Sequence, residues 1–174
     1  GGAYVNKLSA GKVVRATPTR TTPYHPAHST EVAGLEATSG GDDRFFNNVF
    51  AARSAVTGPD PLRSRQVRGY GLAVYDDAVL PVMLEGNVYF SGAKPCAKET
   101  GFVEVGADPK IRIVYEGDRA TLHVTLPPAW KDSTRRLVTT ELLGKARIPG
   151  AAYENADGSP LKVDTDYFGK KRNK

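Results

Sequence analysis

Three times along this 174-residue chain an asparagine opens a short strand-like run: Asn6-Lys7-Leu8, Asn48-Val49-Phe50 and Asn87-Val88-Tyr89-Phe90. The intervals between them are 42 and 39 residues. Self-similarity at such a period is the mark of stacked repeats. One coil of a parallel β-solenoid takes roughly twenty-odd residues, so each interval holds one coil and a long excursion, or two coils. Asparagine has a physical reason to recur at such corners. It enters the left-handed region more readily than any residue but glycine. Its amide also stacks on the asparagine of the next coil and continues hydrogen bonds along the solenoid axis. The same pattern fits three ordinary asparagine turns in an antiparallel sheet, and the spacing alone leaves both readings open.

The rest of the chain is strand-like in texture. "GGAYVNKLSAGKVVRA", "DRFFNNVFAAR", "GLAVYDD" and "PVMLEGNVYFSG" are short, aromatic and β-branched, and Gly, Pro or Asp bounds each of them. Residues 109–128 predict an antiparallel hairpin. Ile111, Ile113 and Tyr115 alternate with Arg112 and Val114, and Ala120, Leu122, Val124 and Leu126 alternate with Thr121, His123 and Thr125. His123 therefore falls on the polar face as a solvated strand residue. No segment carries sustained helical periodicity. "STRRLVTTELLGKA" (133–146) has Ser133 as a cap and Gly144 as a stop, but its β-branched run reads as strand, or at most a short helical turn. "ENADGSPLKVDTDYFG" adds an Asp-Gly turn and another strand.

Composition removes several function classes. With 40% apolar and 25% charged residues the chain is neither disordered nor a membrane protein, and no apolar run approaches a bilayer-spanning length. The net charge of +5 is not a nucleic-acid footprint. Residues 1–50 carry +1, residues 51–90 carry 0, and residues 91–174 carry +4. Lys170, Lys171, Arg172 and Lys174 alone account for that last value, which is the pattern of a basic tail behind a balanced body. The single cysteine, Cys96, excludes an internal disulfide and a cysteine-built zinc site, and is expected as a small buried hydrophobe. The chain opens Gly-Gly-Ala-Tyr, with its one methionine internal at Met83, and is read as beginning inside a longer protein.

Candidate site residues gather between Thr22 and Phe50. Pro23 and Pro26 stiffen a loop that carries Tyr24, His25, His28 and Glu31. A braced segment of that kind suits sugar binding, with Tyr24 stacking and the histidines donating to hydroxyls. It equally suits plain loop packing. Two histidines at this spacing lack an evident third ligand, so no metal site is assigned. Asp42 and Asp43 follow Gly40-Gly41. If both entered a strand they would face opposite ways, whereas in the turn leading to it they can converge, as the paired carboxyl groups of glycosidic hydrolysis require. The structural alternative is a Gly-Gly-Asp-Asp turn with Arg44 as ion-pair partner. Asp76-Asp77 reads as a structural turn, and Arg63, Arg65 and Arg68 as a solvated loop or a clamp for an acidic sugar.

The stretches "TPYHPAHST", "GGDDRFFNNVF", "GLAVYDDAVLPVMLEGNVYFSGAKP", "RRLVTTELLGKARIP" and "DGSPLKVDTDYFGKKR" together resemble the C-terminal part of bacterial right-handed parallel β-helix carbohydrate-active proteins, of the kind grouped in glycoside hydrolase family 141. That resemblance implies an all-β chain, with final β-helix coils over 1–92 and a small antiparallel β-sandwich-like cap over 93–174. It implies the C-terminal fragment of an exported, secreted or periplasmic polysaccharide-degrading enzyme, without cofactor or metal. Asp42 and Asp43 are its expected catalytic groups, and Tyr24, His25, His28, Glu31 and Arg44 its expected substrate contacts. The expected partners are a polysaccharide or oligosaccharide and the upstream β-helix coils of the parent chain, with no nucleic acid and no membrane. The alternatives are a polysaccharide lyase on the same fold, or a non-catalytic glycan-binding or capping module.

Overall fold

A computed structural model of the chain describes residues 3–5, 17–52, 71–132 and 135–172. Asn6, Ser133 and the cluster Arg63, Arg65 and Arg68 lie outside the described residues. The strands are β1 (Ala3–Val5), β2 (Thr17–Tyr24), β3 (Gly34–Thr38), β4 (Asp43–Phe46), β5 (Val49–Ala51), β6 (Val82–Glu85), β7 (Val88–Phe90), β8 (Val103–Val105), β9 (Arg112–Glu116) and β10 (Arg119–His123). The one α-helix among them is a single turn, α1 (Thr140–Leu143). The chain is thus nearly all β, in small sheets.

Packing separates two compact units. One is built from residues within 1–12, 45–77 and 84–135, the other from residues within 13–44, 78–83 and 136–174.

The first unit holds a parallel sheet in the order β1-β5-β7-β8. Its register is one-to-one: Ala3 faces Val49, Val49 faces Val88, and Val88 faces Val103. Each of the last three strands follows a left-handed corner. Asn47 (φ 57°), Gly86 (φ 69°) and Gly101 (φ 66°) stand two residues before Val49, Val88 and Val103 respectively. The roles expected of a single asparagine are therefore divided between neighbours. Asn47 takes the left-handed turn, while Asn48 and Asn87 form the ladder.

Those two ladder side chains are only 6% and 0% exposed. Buried amides must be paired, and these are: Asn87 Oδ1 accepts from Asn48 N at 2.9 Å and from Asn48 Nδ2 at 3.1 Å. Ahead of β8, Phe102 stands where the ladder would continue, and Glu99 ends the row instead. Asn87 Nδ2 donates to Glu99 Oε1 at 2.6 Å and to Phe45 O at 2.9 Å, and Tyr89 Oη donates to Glu99 Oε2.

Side chains alternate across these strands. On one face Phe50 stacks on Tyr89 (5.2 Å, 12°), and Tyr89 meets Phe102 edge-on (6.2 Å). On the other, Ala51, Val88 and Phe90 pack with Val49, Val103, Val105, Ile111, Leu126 and Trp130. The central strand β7 is buried on both faces, as parallel strands commonly are. β8 extends the parallel ladder past Gly92.

β4 and β6 form a second pair. Asp42 N donates to Pro81 O and Asn47 N to Glu85 O, partners that advance in the same direction, so this pair is parallel too. "DRFFNNVFAAR" and "PVMLEGNVYFSG" thus each fold as strand, corner, strand. "GLAVYDD" does not form the expected strand. Gly71 makes a parallel bridge with Lys94, and Ala73–Tyr75 wind into a 3₁₀ turn. Gly71 has φ 108°, and a Cβ there would lie 2.3 Å from Lys94 O, a contact made by a distant part of the chain. Asp76 is structural as read, its Oδ1 accepting from Ala97 N at 2.8 Å. Cys96 is buried, and that burial pushes its thiol pKa up.

The antiparallel part of the first unit is the expected hairpin β9–β10, with Ile113 facing Leu122, and His123 facing Arg112 on the polar side. Its apolar face is not core, however: Ile113, Tyr115 and Leu122 are exposed.

In the second unit β2 and β3 form an antiparallel hairpin. Its C-terminal segment has isolated antiparallel bridges among the described residues: Thr139–Lys162, Lys145–Ala152, Glu154–Pro160 and Thr165–Lys171. The stretch 133–146 contributes the short helical turn, capped by Thr139 Oγ1 (3.2 Å from Leu142 N) and stopped by Gly144.

Candidate functional site

The proline-braced segment is the loop that joins β2 to β3. Tyr24 pairs with Gly34 across the hairpin, and its ring lies over that glycine, where a Cβ would come within 2.7 Å of Oη. Glycine at 34 therefore lets the ring lie flat across the strands. The loop closes with Ala33 N donating to Tyr24 O at 2.8 Å and His25 Nδ1 lying 2.9 Å from Glu31 O. His25 and Glu31 thus meet through ring and backbone, and both are exposed. His28 takes a left-handed conformation (φ 55°). Its Nε2 lies 2.6 Å from Glu154 Oε1, a partner 126 residues away that nothing in the local sequence announces.

The aspartate doublet sits in a turn ahead of β4. Gly41 (φ 113°) and Asp42 (φ 61°) are both left-handed, and a Cβ on Gly41 would lie 2.4 Å from Leu80 O, so this turn needs glycine there. Asp42 Oδ1 pairs with Arg44 Nη1, and Asp42 Oδ2 accepts from Arg147 N at 2.7 Å. Arg44 is committed as fully: Nε donates to Leu143 O at 3.1 Å and Nη2 to Lys145 O at 2.8 Å. The pair is nearly enclosed, with 8% and 16% of the side chains exposed for Arg44 and Asp42. The arginine described as a substrate contact on sequence thus spends its donors on the protein itself. Asp43 follows as the first residue of β4.

Both clusters reach the same dipeptide. Arg44 lies 4.5 Å over the Tyr153 ring, and His28 holds Glu154. Burial pushes the Tyr153 phenol pKa up. Arg44 pulls it down, and the Asp42 and Asp43 charges raise it further, so both carboxylates of the doublet bear on this ring. Nearby, hydrogen bonds from Ser159 hold Asp157 below the usual carboxylate range, with His28 adding a smaller pull. Tyr153 and Glu154 are the residues that sequence reading missed. They stand more than a hundred positions from their partners, and no periodicity connects them. No group of three or more His, Cys, Asp or Glu side chains able to hold a metal ion occurs among the described residues.

Chemically, the arrangement offers a carboxylate at Asp43, a phenol at Tyr153, and a carboxylate at Glu154 oriented by an imidazole. The Asp42–Arg44 pair ties the turn ahead of β4 to the backbone of Leu143, Lys145 and Arg147. No protein-family model matches the chain, and no curated protein matches it. A solved structure does: the chain is similar to XylC, determined as a complex with xylose, at 37% identity and a TM-score of 0.73 over 99% of its length. The chain spans 30% of that protein's length. What it resembles, along its whole course, is part of a larger protein that binds a sugar.

Proposed function

We propose that this chain is the closing part of an exported glycoside hydrolase that acts on xylose-containing polysaccharide, with its parallel strands forming the last coils of a right-handed β-helix. The observation that carries the proposal is the likeness to the xylose-bound XylC over 99% of the chain. The coil reading is supported by the register of β5, β7 and β8 behind aligned left-handed corners and by the Asn48–Asn87 ladder. The outer edge of β1 would then receive the preceding coil of the parent chain. Export follows from the substrate, since such polymers lie outside the cell, and fractionation of cells producing the parent protein tests it.

In this reading Asp43 and Glu154 supply the carboxyl groups of glycosidic hydrolysis, and Tyr24, His25 and His28 contact sugar hydroxyls and ring faces. Asp42 and Arg44 hold the turn that carries Asp43. The experiment uses the full-length parent and xylan, scored by reducing ends. Asp43→Asn lowers turnover by about 100-fold or more, as expected for loss of an acid–base group. Asp42→Asn instead destabilises by about 3 kcal/mol, because it strands a nearly buried guanidinium. Unsaturated products absorbing in the near ultraviolet would replace hydrolysis by lyase chemistry. Sugar binding without turnover would make the chain a glycan-binding module.

A further inference from the structure

The last antiparallel bridge, Thr165–Lys171, closes a tight turn that the candidate site does not use. The turn is heavily braced. Asp166 N donates to Lys170 O (2.8 Å), Gly169 N to Asp166 O (3.0 Å) and Arg172 N to Asp164 O (2.8 Å). Asp166 Oδ1 accepts from both Phe168 N and Lys170 N, each at 2.9 Å. At the tip of this rigid frame stand Tyr167 and Phe168, 95% and 82% exposed, beyond any other large apolar side chain described. Their rings sit 5.3 Å apart at 88°. Two rings fixed at a right angle on a stiff turn offer apolar faces that lose little entropy when something docks on them.

Charge narrows what that something is. Lys170, Lys171 and Arg172 follow directly and are exposed. The acids beside them are already engaged, Asp166 with the turn's own backbone and Asp164 with Lys162 at 3.3 Å. The turn therefore presents aromatic faces edged by positive charge.

We propose that residues 164–172 form an auxiliary binding site for an acidic polysaccharide, with Tyr167 and Phe168 stacking on sugar rings and Lys170, Lys171 and Arg172 meeting uronate carboxylates. The inference rests on the sugar reading above. It adds a second contact and a charge preference that the likeness to a xylose-bound protein does not supply. Guanidinium and ammonium groups suit carboxylates, and exposed aromatic rings suit the apolar faces of sugars.

The test is affinity electrophoresis of the full-length parent protein in gels containing soluble glucuronoxylan, or the same polymer with its uronate carboxyls reduced. The double variant Tyr167→Ala/Phe168→Ala should weaken binding to both polymers by about tenfold, the cost of truncating a contact aromatic. The triple variant Lys170→Gln/Lys171→Gln/Arg172→Gln should weaken binding to the acidic polymer comparably and leave the reduced polymer unaffected. The altered groups are exposed and the bracing bonds are backbone or Asp166 bonds, so all variants should keep the parent's melting temperature. If both variants bind like the parent, the turn is not a site, while the sugar reading stands. If the unaltered chain binds neither polymer, both readings fall. If the variants lose binding only to phosphatidylserine–phosphatidylcholine vesicles, the turn contacts lipid and the proposal is overturned.

Discussion

Asn87 shows how much one buried side chain can carry in this protein. Its amide serves Asn48, Phe45 and Glu99 at once, and it is completely buried. Truncation removes a hydrogen bond from each of several buried polar groups, at about 1–3 kcal/mol apiece. Asn87→Ala should therefore destabilise the chain by on the order of 4 kcal/mol, read as a shift in the urea midpoint at unchanged m-value. Glu99 lends the same network a pH dependence. Burial pushes its carboxyl above the usual 4.5, and this outweighs the opposing hydrogen bonds from Tyr89 and Asn87. The folded state then holds a proton that the unfolded chain has already released. Stability from this group is complete below about pH 4.5, the ordinary glutamate value, and is lost as pH rises through the higher folded value. Glu99→Gln, which keeps an acceptor for Asn87, should flatten the fall of the melting temperature as pH rises above the ordinary glutamate value. A profile as steep as the parent's would assign the dependence elsewhere.

At the level of elements, the corners set the register of the strands. Asn47, Gly86 and Gly101 do the same conformational task with different residues, which identifies the requirement as the positive φ itself. Asparagine visits that region at small cost, whereas β-branched residues are strained there. Gly86→Asn should cost under about 1 kcal/mol and Gly86→Val about 2 kcal/mol or more, measured by thermal unfolding. Equal losses for the two would mean that volume, not backbone conformation, governs the corner. The β9–β10 hairpin teaches a different lesson. Its alternation was legible and its register follows the pattern, yet Ile113, Tyr115 and Leu122 remain exposed. Alternation defines a face; it does not say whether anything covers that face.

Across the whole molecule, buried contact is concentrated where β5, β7 and β8 lie side by side. Amide exchange should follow it, with Phe50, Val88, Tyr89 and Phe90 slowest, as hydrogen-exchange mass spectrometry resolves. Uniform exchange along the chain would contradict that distribution. The all-β character, the hairpin, the Gly144 stop and the asparagine ladder could all be read from the chain, because each is fixed by nearby residues or by a repeat of period 39. The 3₁₀ turn at Ala73–Tyr75 escaped, since the close approach of Lys94 to Gly71 that goes with it is not encoded in the local pattern. The site divides in the same way. The Pro-braced histidines and the Gly-Gly-Asp-Asp turn were visible, as local backbone chemistry must be. Asp42's commitment to Arg44 and Arg147, and the meeting of His28 with Glu154, were not. Periodicity and turn chemistry act over a few residues, so sequence determined the strands and corners. Pairing across 105 and 126 positions depends on where the folded backbone returns, and only the tertiary structure decided that.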